Sequence, residues 1–268
     1  MAPERPPGTP YRPLDLPVVV VQGLRLEYLD LPASRPGGPV LVLLHEGLGC
    51  VAMWRDFPQR LAAATGCRVV AWSRAGYGGS DPSDTPRRPD YLEVEARQGL
   101  PATLAALGLE RPVLVGHSDG ATLALLFAGS FPGSVAGVVA MSPHEFVEPE
   151  TLAGLRQALQ AWETTDWPER LGRYHRDVER VFREWNDTWL APGFQEWNIE
   201  GTLSGIRCPV LALQGEDDSY ATMRQIDAIA ERVEATTLLK LPGCGHSPHL
   251  ECPAAVLEAL AGFLARVR

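Results

Sequence analysis

Short runs that are apolar at nearly every position, spaced by stretches of helical periodicity, restrict this chain more than any other feature. Val40–Leu44, Arg68–Trp72 and Pro112–Val115 each read as a strand buried on both faces. Such strands occur where helices cover both sides of a parallel sheet. Ser134–Met141, Pro209–Gln214 and Thr237–Leu241 supply further strands. Between them lie helical patterns: Ala52–Ala64 with Trp54, Phe57 and Leu61 on one side, the long amphipathic Asp90–Leu107, the small-residue Asp119–Gly129, then Ala221–Val233 and Pro253–Val267. Ahead of them, Val18–Val21 and Leu24–Leu31 flank a Gln22-Gly23 turn and predict a hairpin. The alternation predicts an α/β fold, with a mostly parallel central sheet flanked by helices.

The alternation breaks once. Glu148–Leu203 is polar, aromatic-rich and helical in pattern, with no convincing strand. An insertion at that point predicts a helical cap over the sheet's C-terminal edge, where open α/β sheets place their sites. The expected division is a proline-rich tail at 1–14, a core at 15–147 and 204–268, and a cap at 148–203.

Composition removes several classes. The net charge is −9 and no Lys/Arg cluster occurs, which argues against nucleic acid as a partner. No apolar run reaches the roughly 18 residues of a membrane span, and Met1–Pro13 lacks the apolar stretch of a signal peptide. The expectation is a soluble, cytoplasmic protein acting on a small molecule, away from membranes. The five cysteines form no Cys-x-x-Cys or Cys/His cluster, so buried thiols are expected and no metal or cofactor. The sequence does not give the oligomeric state.

Gly116-His117-Ser118-Asp119-Gly120 fits G-x-S-x-G between a buried strand and a helix. On such a turn the serine oxygen is exposed, the glycines let neighbouring backbone pass, and the helix N-terminus offers N–H groups to a developing oxyanion. The bare pattern is weak; its partners strengthen it. Asp218, in Gly215-Glu216-Asp217-Asp218, follows the strand Pro209–Gln214, and His246 lies between the last strand and the last helix. Asp217 and His249 are the rival acid and base. The chain order Ser, Asp, His, the Gly-x-x-Asp ending at Asp218, and the Gly-His followed by Glu251 and Pro253 resemble the α/β-hydrolase superfamily over nearly the whole chain.

That resemblance implies a serine hydrolase with Ser118 as nucleophile, His246 as general base and Asp218 orienting it. It implies oxyanion donors at Asp119 and in His45-Glu46-Gly47, with Gly47 first and Glu46 second, since Glu46 stands where glycine is usual. Arg74 and the glycines of Trp72–Pro82 are expected to be structural, and Ser73 replaces the usual Asp of that loop. A serine nucleophile leaves a small-molecule carboxylic ester hydrolase (carboxylesterase-like) as the first expectation. A C–C bond hydrolase, lactonase or lyase with the same triad is the second, and a non-catalytic receptor on this scaffold the third. Ser118-Asp119-Gly120 resembles the biphenyl hydrolase-like branch, where the Asp beside the nucleophile can bind an α-amino group. This implies that Asp119, with Glu46, favours a cation near the carbonyl; the other reading is that Asp119 caps its helix. His144 is expected to contact substrate or to serve structure, and Phe146 and Trp189 to face the pocket. His117 is expected to be structural, and the aromatics of the insertion to hold it together or line an apolar pocket.

Overall fold

The computed structural model describes residues 11, 14–83 and 87–267. The expected tail at 1–14 lies outside the described residues except for Tyr11 and Leu14. The strands are β1 Val18–Val21, β2 Leu24–Leu31, β3 Leu41–Leu44, β4 Val69–Trp72, β5 Val113–His117, β6 Gly137–Met141, β7 Val210–Gly215 and β8 Thr236–Leu241. They form one eight-stranded sheet in the order β1-β2-β4-β3-β5-β6-β7-β8. β1–β2 and β2–β4 pair antiparallel, and the pairs from β4 to β8 are parallel. Gln22 and Gly23 have φ of 51° and 87°, the doubly left-handed backbone of a type I′ hairpin turn.

Strands β3 to β7 are buried at every position. Their side chains alternate between two cores, as a period of two requires. Val42, Leu44, Leu114 and Val138 pack into one, and Leu41, Leu43, Val113 and Val139 into the other. The helices are α1 Phe57–Thr65, α2 Tyr91–Val94, α3 Leu100–Ala106, α4 Asp119–Ser130, α5 Pro149–Thr164, α6 Trp167–Leu171, α7 Val178–Leu190, α8 Glu200–Leu203, α9 Arg224–Arg232, α10 Pro248–Glu251 and α11 Pro253–Leu264.

Two expected helices are interrupted. Ala52–Ala64 divides into a 3₁₀ turn, Val51–Trp54, and α1, with Arg55 at φ 54° between them. Pro58 has no N–H to continue the first turn and suits the start of a new helix. Asp90–Leu107 carries a π-turn, Glu95–Gly99, between α2 and α3. Pro101 in the first turn of α3 has no N–H to give to the preceding turn, and the wider turn accommodates that loss.

The chain steps from β3 outward to β4, then returns across β3 to β5. This reversal opens a crevice beyond the C-terminal ends of β3 and β5, where open α/β sheets bind ligands. Helices α5 to α8 follow β6 and precede β7. No helix among the described residues is long and apolar enough to cross a membrane.

Just past β6, Glu145 is fully buried and neither carboxyl oxygen has a hydrogen-bond partner among the described residues. Burial, with Glu148 and Glu200 nearby, raises its carboxyl well above the usual range. The folded chain therefore keeps a proton that the unfolded chain releases above the ordinary glutamate range, so this group costs stability as pH rises. Glu145→Gln is expected to flatten that slope, worth up to about 1.4 kcal/mol per pH unit. Urea unfolding of both proteins at pH 5 and pH 7 measures it.

Candidate active site

The turn from β5 into α4 fixes Ser118 at φ 52° and ψ −119°, a conformation that costs an L-residue free energy and needs support from its surroundings. The support is steric and polar. A Cβ at Gly116 would strike the Gly120 carbonyl, and one at Gly120 would strike that of Leu44. The Ser118 amide donates to the Met141 carbonyl at 2.9 Å.

The loops after β7 and β8 bring two more side chains to this turn. His246 Nε2 lies 3.1 Å from Ser118 Oγ, and His246 Nδ1 lies 2.9 Å from each oxygen of Asp218. A carboxylate only accepts, so Nδ1 carries the hydrogen and Nε2 presents its lone pair to the Ser118 hydroxyl. Burial raises the Asp218 carboxyl, but His246 and the Tyr220 amide, which donates to Oδ1 at 2.9 Å, more than offset it and hold the group below its usual value. The Asp218 side chain is 0% exposed. Asp217 is exposed, and His249 is packed among Trp54, Phe57 and His117 with ring centroids at 4.8, 5.4 and 4.7 Å. Neither rival occupies the relay.

Gly47 and Asp119 both line the cavity at Ser118, and neither amide has a main-chain acceptor among the described residues. Arg74 reaches under the Gly47 loop, donating to the Glu46 carbonyl at 2.9 Å and lying beside the His45 ring. Ser73 donates to Glu27 at 2.6 Å and accepts the Val51 amide at 2.9 Å. These contacts give both residues of the loop after β4 a scaffolding role. Gly47 must be glycine here, because a Cβ would collide with the Trp185 ring. Gly47→Ala is expected to displace the loop and lower kcat about 100-fold, the usual scale for losing one oxyanion donor. A Tm within a few degrees of wild type separates this from unfolding.

A cavity of about 220 Å³ opens on Ser118 and His246, walled by the insertion through Leu155, Trp167, Trp185 and Trp189. Of the residues expected to contact substrate, Glu46, His144 and Trp189 line it. Phe146 does not. Its backbone bridges Asn198 and its carbonyl accepts from Gln225, which turn the chain along the flank of α9. His144 is 4% exposed, neither ring nitrogen has a hydrogen-bond partner among the described residues, and burial lowers it to about 4. It stands in the cavity as a neutral imidazole.

Ser118 is the N-cap of α4 and makes no side-chain capping bond, and Asp119 is the first residue of the helix. Its Oδ2 accepts from Tyr91 Oη at 2.6 Å, whose oxygen accepts from Trp189 Nε1 at 2.8 Å. Its Oδ1 is buried without a hydrogen-bond partner among the described residues, while Arg74 Nη2 lies 3.9 Å from Oδ2. Tyr91 was not legible as a site residue, since nothing in a helix far from the motifs marks it. Tyr220, whose ring is tilted against that of His246 with centroids 4.8 Å apart, carried a faint signal in its place two residues after Asp218.

The sequence model described as the Alpha/beta hydrolase family matches residues 41–259. The chain belongs to this family. It is 28% identical over 239 residues to "Serine hydrolase BPHL" of Homo sapiens, covering 87% of this chain and 80% of that protein. It is 25% identical over 261 residues to "2-succinyl-6-hydroxy-2,4-cyclohexadiene-1-carboxylate synthase" of Salmonella paratyphi C, covering 86% and 96%. In fold it is similar to the enol-lactonase of Burkholderia xenovorans LB400, with a TM-score of 0.74, 18% identity, and 93% and 100% of the two chains covered. Membership in the alpha/beta hydrolase family makes the chain a hydrolase, and the variety of these relatives leaves the scissile bond to be argued from the site.

Proposed function

We propose that this alpha/beta hydrolase cleaves small carboxylic esters whose acyl group carries a cation beside the carbonyl. The observation that carries this reading is the unpartnered Oδ1 of Asp119, buried next to the nucleophile. A buried carboxylate oxygen with no donor has a high free-energy cost, which a substrate ammonium would relieve. The relay supports the acyl-enzyme route. Ser118 attacks the carbonyl as His246 takes its proton; the Gly47 and Asp119 amides hold the oxyanion; His246 then protonates the leaving alkoxide. Water, activated by His246 in turn, releases the acid. His144 is placed to donate to or accept from a leaving group, and Trp189 to cover its apolar part.

Wild-type kcat/KM is expected to favour an aminoacyl ester over its des-amino analogue by about 10-fold or more, the scale of a hydrogen bond to a charged group. Asp119→Asn should remove that preference while sparing the des-amino ester. Equal kcat/KM for the two esters in the wild type would overturn the cationic reading.

A further inference from the structure

Glu46 and His117 adjoin the relay without belonging to it. His117, the residue before Ser118, is buried with its ring 5.3 Å from that of His246. Its Nε2 lies 2.7 Å from the His246 carbonyl oxygen. A carbonyl only accepts, so Nε2 carries a hydrogen. Its Nδ1 faces Glu46 Oε2 at 3.5 Å and has no other hydrogen-bond partner among the described residues. With a bare Nδ1, a ring lone pair would face a carboxylate inside the protein. One more proton turns this opposition into an imidazolium–carboxylate pair.

We infer that the Glu46–His117 pair holds this proton on His117 and is a positioning device for His246, reaching the base through its main-chain carbonyl. This rests on the reading of Ser118 as nucleophile and His246 as base. The pair ties together three loops that must keep register: the oxyanion loop after β3, the turn after β5 and the His246 loop after β8. It also gives a reason for Glu46 where the family pattern has glycine. Electrostatics agree in direction: burial disfavours charge on both groups, yet each holds the other ionised, His117 above and Glu46 below its usual value.

The pair is neutral overall, so it orders the base loop without adding net charge beside an imidazole that must become a cation in the transition state. His117 is faced by Glu46, by His249 from α10 and by Asp218 beyond β7. His246 is faced by Asp218, Tyr220, His144 and His117.

Opposite halves of the pair should therefore act differently on the pH profile. His117→Gln keeps an N–H for the carbonyl but leaves the Glu46 charge unneutralised, which favours a cation at His246. The acid limb of kcat/KM is expected to move up by about half a pH unit or more. Glu46→Gln removes anion and proton together. Its acid limb should stay in place, while kcat falls about 10-fold with KM within about twofold of wild type. The double variant should return the limb to the wild-type position. A His117→Gln limb that does not move, or a double variant that keeps the shift, would overturn the pair.

Because a variant can fail to fold, the wild type gives a second readout. ¹⁵N NMR of histidine-labelled enzyme at pH 8 should show both ring nitrogens of His117 protonated; a bare Nδ1 would overturn the inference alone. Turnover surviving in Ser118→Ala would overturn the nucleophile reading and, with it, the role of the pair.

Discussion

Ser118→Ala is expected to lower kcat by about 10⁵- to 10⁶-fold, the scale seen when a triad nucleophile is removed. Only the Oγ changes. The supports of the turn, the Ser118 amide to Met141 and the close approaches at Gly116 and Gly120, involve no atom of the hydroxyl. Alanine meets the same backbone strain at φ 52°, so Tm should stay close to wild type. Steady-state kinetics with an aryl ester, beside a thermal melt, checks both parts. A folded Ser118→Ala protein that keeps more than a few per cent of wild-type kcat would show that another group attacks the substrate.

Asp218→Asn is expected to cost about 10⁴-fold in kcat, because the imidazole loses its correct tautomer rather than its place. Asp218 accepts from His246 Nδ1 through both oxygens. An asparagine can turn its NH₂ toward Nδ1, which then accepts and leaves the hydrogen on Nε2. That nitrogen can no longer take the Ser118 proton. Asp218 is also held ionised below the usual aspartate range, with burial overcome by His246 and the Tyr220 amide. As pH falls Asp218 should therefore stay ionised through the ordinary aspartate range. Asp217→Asn, at an exposed position outside the relay, should leave kcat within about twofold of wild type. Loss of activity in Asp217→Asn with Asp218→Asn intact would reverse the assignment.

The sheet was legible because strands covered on both faces must be apolar at consecutive residues, and few other contexts demand this of runs as short as Val40–Leu44. Ser118, Asp218 and His246 stood out for a related reason. Ser118 and Asp218 follow fully buried strands and His246 follows the outermost strand β8, all at the sheet's C-terminal edge, so chain order and local context together carried information that no single motif holds. The interruption of Ala52–Ala64 was hidden because Trp54 and Phe57 keep helical spacing in sequence although Arg55 turns the backbone between them. Trp54 still stacks on Phe57 at 5.8 Å.

Inside the cavity, sequence distance defeats inspection. Tyr91 reaches Asp119 across 28 positions, and Trp189 reaches Tyr91 across 98. Phe146 lies two residues past a true cavity residue, His144, yet the bridge to Asn198 takes it away. Glu46 and His117 were each visible as an oddity or a filler, but their pairing depends on which atoms face each ring nitrogen. That is a property of packed loops rather than of spacing.

Covalent labelling with a fluorophosphonate, followed by peptide mapping, reads out an activated Ser118 without knowledge of the substrate. One modified residue is expected, Ser118, with labelling abolished in Ser118→Ala and His246→Ala. A folded wild-type protein that takes up no label, or takes it up elsewhere, would contradict Ser118 as the nucleophile.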